Sequence, residues 1–202
     1  LKVDAGTQAD LRAVWGHGTE VWVGGKEGTL FLFDGYVWQK VASPTQANLQ
    51  AIWGSSKTEV WLAADDGSLW RQGPMGWVPV RTGDAGVGLG VLWGTGRENV
   101  WLARATGIHH WDGTAWTSIA VRTSTITVRA MAVAGDHDVL LAVSKESSAE
   151  SIERWNGRGW TTESVGATSP RALCRSPRGE LWMAGGAVRI PAAILHKLAE
   201  KQ

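Results

Sequence analysis

Three arginines of this 202-residue sequence stand at one recurring position. Arg12, Arg129 and Arg171, with Gln50 and Gly90 between them in order, each occupy the second place of a short apolar segment of the type Leu-x-Ala-Val-Trp-Gly. Guanidinium groups that converge from equivalent positions can clamp an anion or an acidic side chain. The competing reading runs their stems along apolar surface between repeats, with the charge in water. A second recurring position holds Glu20, Glu59, Asn99, Asp138 and Glu180, each just before another apolar segment. A polar group repeated in every copy suits a turn held by backbone N–H bonds. Catalysis needs one special site, not five equal ones. Lys26, Glu27, Asp65, Asp66 and Arg104 close or follow that second segment and complete the set of candidate ligand-binding residues.

Other chemistry is poorly supported. In Asp136-His137-Asp138 and His109-His110 successive side chains alternate in direction along a strand, so neither run can converge on one metal ion. There is no Gly-x-Ser-x-Gly, His-Glu-x-x-His, phosphate-binding loop or dinucleotide fingerprint. No unequal pair of carboxylates stands out for glycoside hydrolysis. Cys174 takes a position that is Trp in other copies and reads as a buried thiol. No catalytic residue, metal or cofactor is expected.

The elements that carry these residues repeat at a period of about 40 residues, the mark of a repeat architecture. Copies begin near Leu11, Leu49, Leu89, Val128 and Arg171. Each reads as four short strands. The first is Leu-x-Ala-Val-Trp-Gly and the second Val-Trp-x-x. The third ends before Asp34-Gly35, Asp112-Gly113 or Asn156-Gly157, pairs that supply a positive φ in a tight hairpin. The fourth starts at a closing Trp. The 14 Trp fall into four columns. These are Trp15, Trp53, Trp93; Trp22, Trp61, Trp101, Trp182; Trp70, Trp111, Trp155 with Phe33; and Trp38, Trp77, Trp116, Trp160. On this alignment no Trp is left over for ligand stacking.

Four antiparallel strands at this period predict an all-β chain, a five-bladed β-propeller. Its blades are expected near 11–41, 49–80, 89–121, 128–165 and 171–198, in a single domain spanning 1–202. Lys2-Val3 and the segment 6–11 match Lys40-Val41 and the segment 44–49. The N-terminal residues 1–4 therefore read as the fourth strand of the last blade, closing the ring and removing open edges. The segments 145–151 and 185–193 lengthen the loop between second and third strands in the last two copies, where function tends to gather.

A net charge of +1 and 44% hydrophobic residues describe a globular chain with no global pull toward nucleic acid. No apolar run approaches the roughly 20 residues that cross a bilayer. The chain begins with Leu1, so it reads as a processed protein or one domain of a larger one, otherwise a monomeric ring. An extracellular or cell-surface setting is favoured.

The Val-Trp second strand and the Asp-Gly-x-x-Trp closure resemble Trp-rich bacterial propellers grouped with tectonin and tachylectin-like lectins. That resemblance implies a non-catalytic, sugar-binding ring with sites repeated around it. No sugar-binding residue carries over by motif, and the copies have diverged. The leading expectation is therefore a recognition module that docks a protein partner on one face. A lectin is the alternative, and a hydrolase comes third.

Overall fold

A computed structural model describes residues 7–83, 90–105, 107–120, 126–145, 148–164, 170–175, 181–185 and 193–195. Within them the chain is all antiparallel β. The first sheet orders β1 (Leu11–His17), β2 (Glu20–Gly25), β3 (Leu30–Phe33) and β4 (Trp38–Lys40) as neighbours in sequence. The second is β5 (Leu49–Ser56), β6 (Glu59–Ala64), β7 (Leu69–Gly73) and β8 (Gly76–Val80). The third is β9 (Val91–Gly96), β10 (Asn99–Arg104), β11 (Gly107–Trp111) and β12 (Trp116–Ile119). The fourth is β13 (Ile126–Gly135), β14 (Asp138–Lys145), β15 (Ser148–Trp155) and β16 (Trp160–Ser164). A three-stranded sheet follows: β17 (Pro170–Arg175), β18 (Leu181–Gly185) and β19 (Ala193–Leu195).

Each sheet is a meander because its turns are chemically set. Asp34 Oδ1 accepts the backbone N–H groups of Tyr36 and Val37, Asp112 Oδ1 those of Thr114 and Ala115, and Asn156 Oδ1 those of Arg158 and Gly159. The following glycines take positive φ, 102° at Gly35, 98° at Gly113 and 87° at Gly157. A side chain would be strained there.

The core lies between sheets, not within them. Trp22 and Leu30 meet Leu49, Ile52, Val60 and Leu62 of the second sheet. Trp53 and Trp61 meet Leu92, Val100 and Leu102 of the third. Trp101 and Ile108 meet Met131, Val139, Leu141 and Trp160 of the fourth. Ala132, Leu140 and Ile152 meet Leu173 of the fifth. Edge-on aromatic contacts fix the spacing: Trp22 on Trp77 at 5.8 Å, and Trp61 on Trp111 and Trp116 at 5.8 and 5.6 Å. The inner strands also interlock. A Cβ built on Gly54 would lie 2.7 Å from the ring of Trp15, and one on Gly94 2.7 Å from the ring of Trp53. The Trp-Gly pairs of the first three repeats thus work across sheets, Trp15 covering Gly54 and Trp53 covering Gly94.

Several expectations need correction. Trp70 is not in the third aromatic column, because Trp77 pairs with Gln72 where Trp116 pairs with Trp111 and Trp160 with Trp155. Gln72 holds that place, and Trp70 lies one strand-pair further along, opposite Leu62. Of the segment 145–151, Lys145 ends β14 and 148–151 begin β15, with Lys145 opposite Ser148, so these residues are strand and not irregular loop; 146 and 147 lie outside the described residues. Cys174 is exposed, not buried. The reason lies in its neighbours. Cys174 pairs with Trp182, which is 44% exposed where Trp22, Trp61 and Trp101 are 3%, 0% and 0%. That face is covered by the following sheet in every earlier repeat. Val14, on the far side of the first sheet, is 70% exposed where Ile52, Leu92 and Met131 are 6%, 4% and 1%. The N-terminal strand 1–4, Glu180, the stretch 186–192 and the tail after 195 lie outside the described residues.

Candidate functional site at the channel mouth

The second position of each first strand is where the ladder slips. β1 pairs Leu11 and then Ala13 with consecutive residues of β2, leaving Arg12 as the extra residue of a bulge. The same shift falls at Gln50 in β5, at Arg129 in β13 and at Arg171 in β17. In the third repeat Gly90 precedes β9 and brings no side chain. A bulge leaves one residue unpaired and re-aims its side chain. Strict alternation cannot say which way such a residue points, so a count along the strand misjudges it.

The five inner strands lie side by side around one cavity of about 550 Å³. Arg12, Gln50, Gly90, Arg129 and Arg171 all line it, and a smaller space of about 260 Å³ adjoins it between Gln50, Thr127, Arg129 and Arg171. Its apolar wall comes from Ile52, Leu92, Met131 and Leu173 with the three first-column indoles Trp15, Trp53 and Trp93. These tryptophans therefore contribute to the cavity as well as to the packing.

Charge at this end is mixed. Arg129 Nε lies 3.5 Å from Glu150 Oε1, while Glu150 Oε2 is buried without a hydrogen-bond partner among the described residues. Asp65 accepts from the side chain and the backbone of Asn48, at 2.6 and 3.1 Å. The Asn48 side chain, helped by the Asn48 N–H, Gln50 and the Arg12 charge, holds the Asp65 carboxyl below its ordinary range. Lys26 pairs with Asp10, and that contact together with the Arg12 charge lowers the Asp10 carboxyl as well.

The remaining candidate residues divide. Lys26 and Glu27 sit on the turn Lys26–Gly28, with Glu27 at φ 54° and its N–H donated to Asn48 Oδ1 at 3.0 Å. Asp66 accepts the Ser68 N–H in the equivalent turn of the second sheet. These turns and the connection 43–48 gather on the same face as the bulges, since Leu11 pairs with Gly25 and Leu49 with Ala64. Arg104 is 4% exposed and donates to Thr82 Oγ1 at 3.1 Å, apart from the cavity.

The acidic column is structural, but through side chains. Glu59 pairs with Arg71, Asn99 with His110 at 2.9 Å, and Asp138 with Arg154 at 3.2 Å, each across β2-type and β3-type strands. In the first sheet Leu32, opposite Trp22, stands where Arg71 stands opposite Trp61, and Glu20 instead takes Lys57 of the second sheet at 2.9 Å. The cationic or imidazole partner also covers the second-column indole, Arg71 over Trp61 and His110 stacked on Trp101 at 4.4 Å. Reading the strands alone missed these pairs. Comparing repeats carries the signal: the place opposite the acids Glu59 and Asp138 holds Arg71 and Arg154, and where the acid becomes Asn99 it holds His110. Among the described residues no group of three or more His, Cys, Asp or Glu could hold a metal ion.

A second cavity of about 790 Å³ lies between the second and third sheets, lined by Thr58, Glu59, Arg71, Gln72 and Arg97 among others. Arg71 is fixed there, its guanidinium 5.1 Å from Trp61 and 5.7 Å from Trp111. Arg97 is the freer group, 69% exposed and 3.7 Å from Glu59.

By sequence, no protein family and no curated protein matches the chain. By structure it is similar to β-propeller proteins. One is YCF48 bound to D1 peptide, with TM-score 0.64, 14% identity and 89% of this chain on 62% of that one. Another is the SapL1 lectin in complex with alpha methyl fucoside, with TM-score 0.60, 14% identity and 96% on 81%. A third is a catalytically inactive virginiamycin B lyase from Staphylococcus aureus, with TM-score 0.66, 13% identity and 94% on 71%. The chain spans 26% of an extracellular domain of a hybrid two-component system from B. thetaiotaomicron. At these identities the likeness shows the fold alone: the chain is an antiparallel β-propeller of Trp-rich sheets, with no tectonin or tachylectin-like protein tied to it by sequence.

Proposed function

We propose that this propeller is a non-catalytic recognition module that docks a protein partner on the face carrying the bulges. One observation carries the reading. That face is composite: it joins the turn Lys26–Gly28, the connection 43–48, the long β14–β15 hairpin with Glu150 and the cavity mouth, and the side chains at these places differ from sheet to sheet, as Lys26-Glu27 does from Asp65-Asp66. A single asymmetric surface suits one macromolecule better than five equal small ligands. The structure of YCF48 bound to D1 peptide supports the idea by analogy of fold only.

We further propose a closed, five-bladed single domain, with residues 1–4 completing the last blade. Val14 on the first sheet and Trp182 with Cys174 on the fifth are apolar or soft groups left exposed on facing sides, which is what closure would bury. An extracellular setting fits neighbours that include extracellular domains and a lectin. Among the described residues no helix is long and apolar enough to cross a membrane.

A lectin is the second reading, favoured by the cleft of Glu59, Arg71 and Arg97, which offers a carboxylate and guanidinium groups beside Trp111. An enzyme ranks third, with the lyase neighbour as its support. A pull-down from the source organism beside a glycan array separates the first two. One protein partner lost on shortening the β14–β15 hairpin supports docking. Saturable sugar binding that survives the shortening but fails in Arg97→Ala overturns docking in favour of the lectin.

A further inference from the structure

The polar groups at the cavity are placed by a repeated backbone irregularity. Three of the four bulges carry arginine, from the first, fourth and fifth sheets, and the three converge on one opening. Arg12 and Arg171 hold no hydrogen bond or ion pair among the described residues, and both are exposed. Arg129 is only loosely held, by Glu150 Oε1 at 3.5 Å. Behind them the wall turns apolar at Ile52, Leu92 and Met131 and aromatic at Trp53.

We propose that this opening is a carboxylate site: Arg12, Arg129 and Arg171 receive an acidic side chain of a partner's peptide segment, and an apolar neighbour of that residue enters the cavity. The proposal rests on the docking reading and adds the chemistry of the partner. Planar guanidinium groups match a carboxylate with paired N–H donors. Glu150 already shows a carboxylate against Arg129. The local charge argues against a dianion. Asp10 and Asp65 stand near Arg12 and Glu150 against Arg129, so a phosphate dianion would meet about twice the repulsion that a single carboxylate meets. The apolar wall would gain nothing from a free inorganic ion, whereas a Leu, Met or aromatic side chain of a peptide would bury there.

The test uses the whole chain and an immobilised octapeptide library in which Asp or Glu neighbours an apolar residue, beside the same library with Asn and Gln replacing the acids. Binding is read by capture and then by tryptophan fluorescence, since Trp53 lines the cavity. Acidic members are expected to bind and their amide counterparts to fail. Arg12→Gln and Arg171→Gln should each weaken binding about tenfold, the scale of one charge-assisted hydrogen bond, with rising salt acting in the same direction. Arg158→Gln, exposed in the turn between β15 and β16 and outside the cavity, should leave it unchanged. Both bulge positions are exposed, so these variants fold. Equal binding of acid and amide libraries, no binding to either, or competition by inorganic phosphate at lower concentration than acetate overturns the proposal. A partner from the pull-down that binds the Arg12→Gln, Arg171→Gln double variant undiminished sinks the carboxylate site and leaves the docking reading standing.

Discussion

The guanidinium of Arg71 lies 5.1 Å from the centre of the Trp61 ring, and Trp61 is fully buried between the second and third sheets. The same indole meets Trp111 and Trp116 of the third sheet edge-on, so one residue ties a cation, two aromatic rings and two strands together. Trp61→Ala would remove this junction and leave a large cavity. The expected cost is about 3–5 kcal/mol, read as a lower midpoint in denaturant titration. Trp182 is the 44% exposed counterpart among the described residues. If the ring closes as proposed, Trp182→Ala should cost nearly as much as Trp61→Ala; a loss well under half as large would leave Trp182 in water and overturn closure.

Gly94 tests the interlocking of inner strands. A Cβ there would lie 2.4 Å from the Asn99 carbonyl oxygen and 2.7 Å from the Trp53 ring. The backbone atom cannot step aside as a side-chain tip can, so Gly94→Ala should destabilise by at least about 1–3 kcal/mol. Gly135→Ala is the control, because nothing lies within 4 Å of its Cβ. Thermal melts of the two variants should separate clearly. Equal melting temperatures would show that the sheets can shift to admit the methyl group.

The repeat pattern made the sheets legible, since Trp-Gly, Val-Trp and Asp-Gly each name a local structure. It could not show what depends on register. Trp70 has the right residue type and nearly the right place, yet it stands two residues before the position that pairs with the closing Trp77, and Gln72 fills that position as Trp111 and Trp155 do in their sheets. Arg12, Arg129 and Arg171 were visible as a column, but their direction hangs on bulges, which local alternation does not encode. Arg104 reads as a surface cation by type and is 4% exposed beside Thr82, because burial depends on how the sheets stack.

Asp112 links the hairpins to pH. The Ala115 N–H, with the hydroxyl and N–H of Thr114, holds its carboxyl down to about 2, from an ordinary 3.8. Since the folded form resists protonation, the unfolded chain takes up the proton first. The carboxylate's contribution to stability is therefore complete above about pH 4 and is lost as pH falls toward 2. Asn156 fills the same turn role in the fourth sheet without a charge. Asp112→Asn should keep the turn and flatten the acid limb of the stability curve between those pH values. An unchanged acid limb would assign the loss to other carboxylates.

His110 gives a second window at higher pH. It stacks on Trp101 at 4.4 Å and bonds Asn99, where its counterpart Arg71 pairs with Glu59. Burial pushes its pKa below 6.5, against a smaller upward pull from Asp136 and Asp112. The folded state thus prefers the neutral ring, so the unfolded chain binds protons first and stability falls as pH drops below 6.5 toward the depressed value. The ring's hydrogen bond need not vanish on protonation, since Nε2–H then donates to Asn99 Oδ1. The cost therefore comes from charging a half-buried group. His110→Gln should remove the slope of stability that begins below about pH 6.5 while lowering the plateau through lost stacking. Denaturant midpoints at matched ionic strength would show it. A wild-type slope retained in His110→Gln would mean that another histidine governs this window.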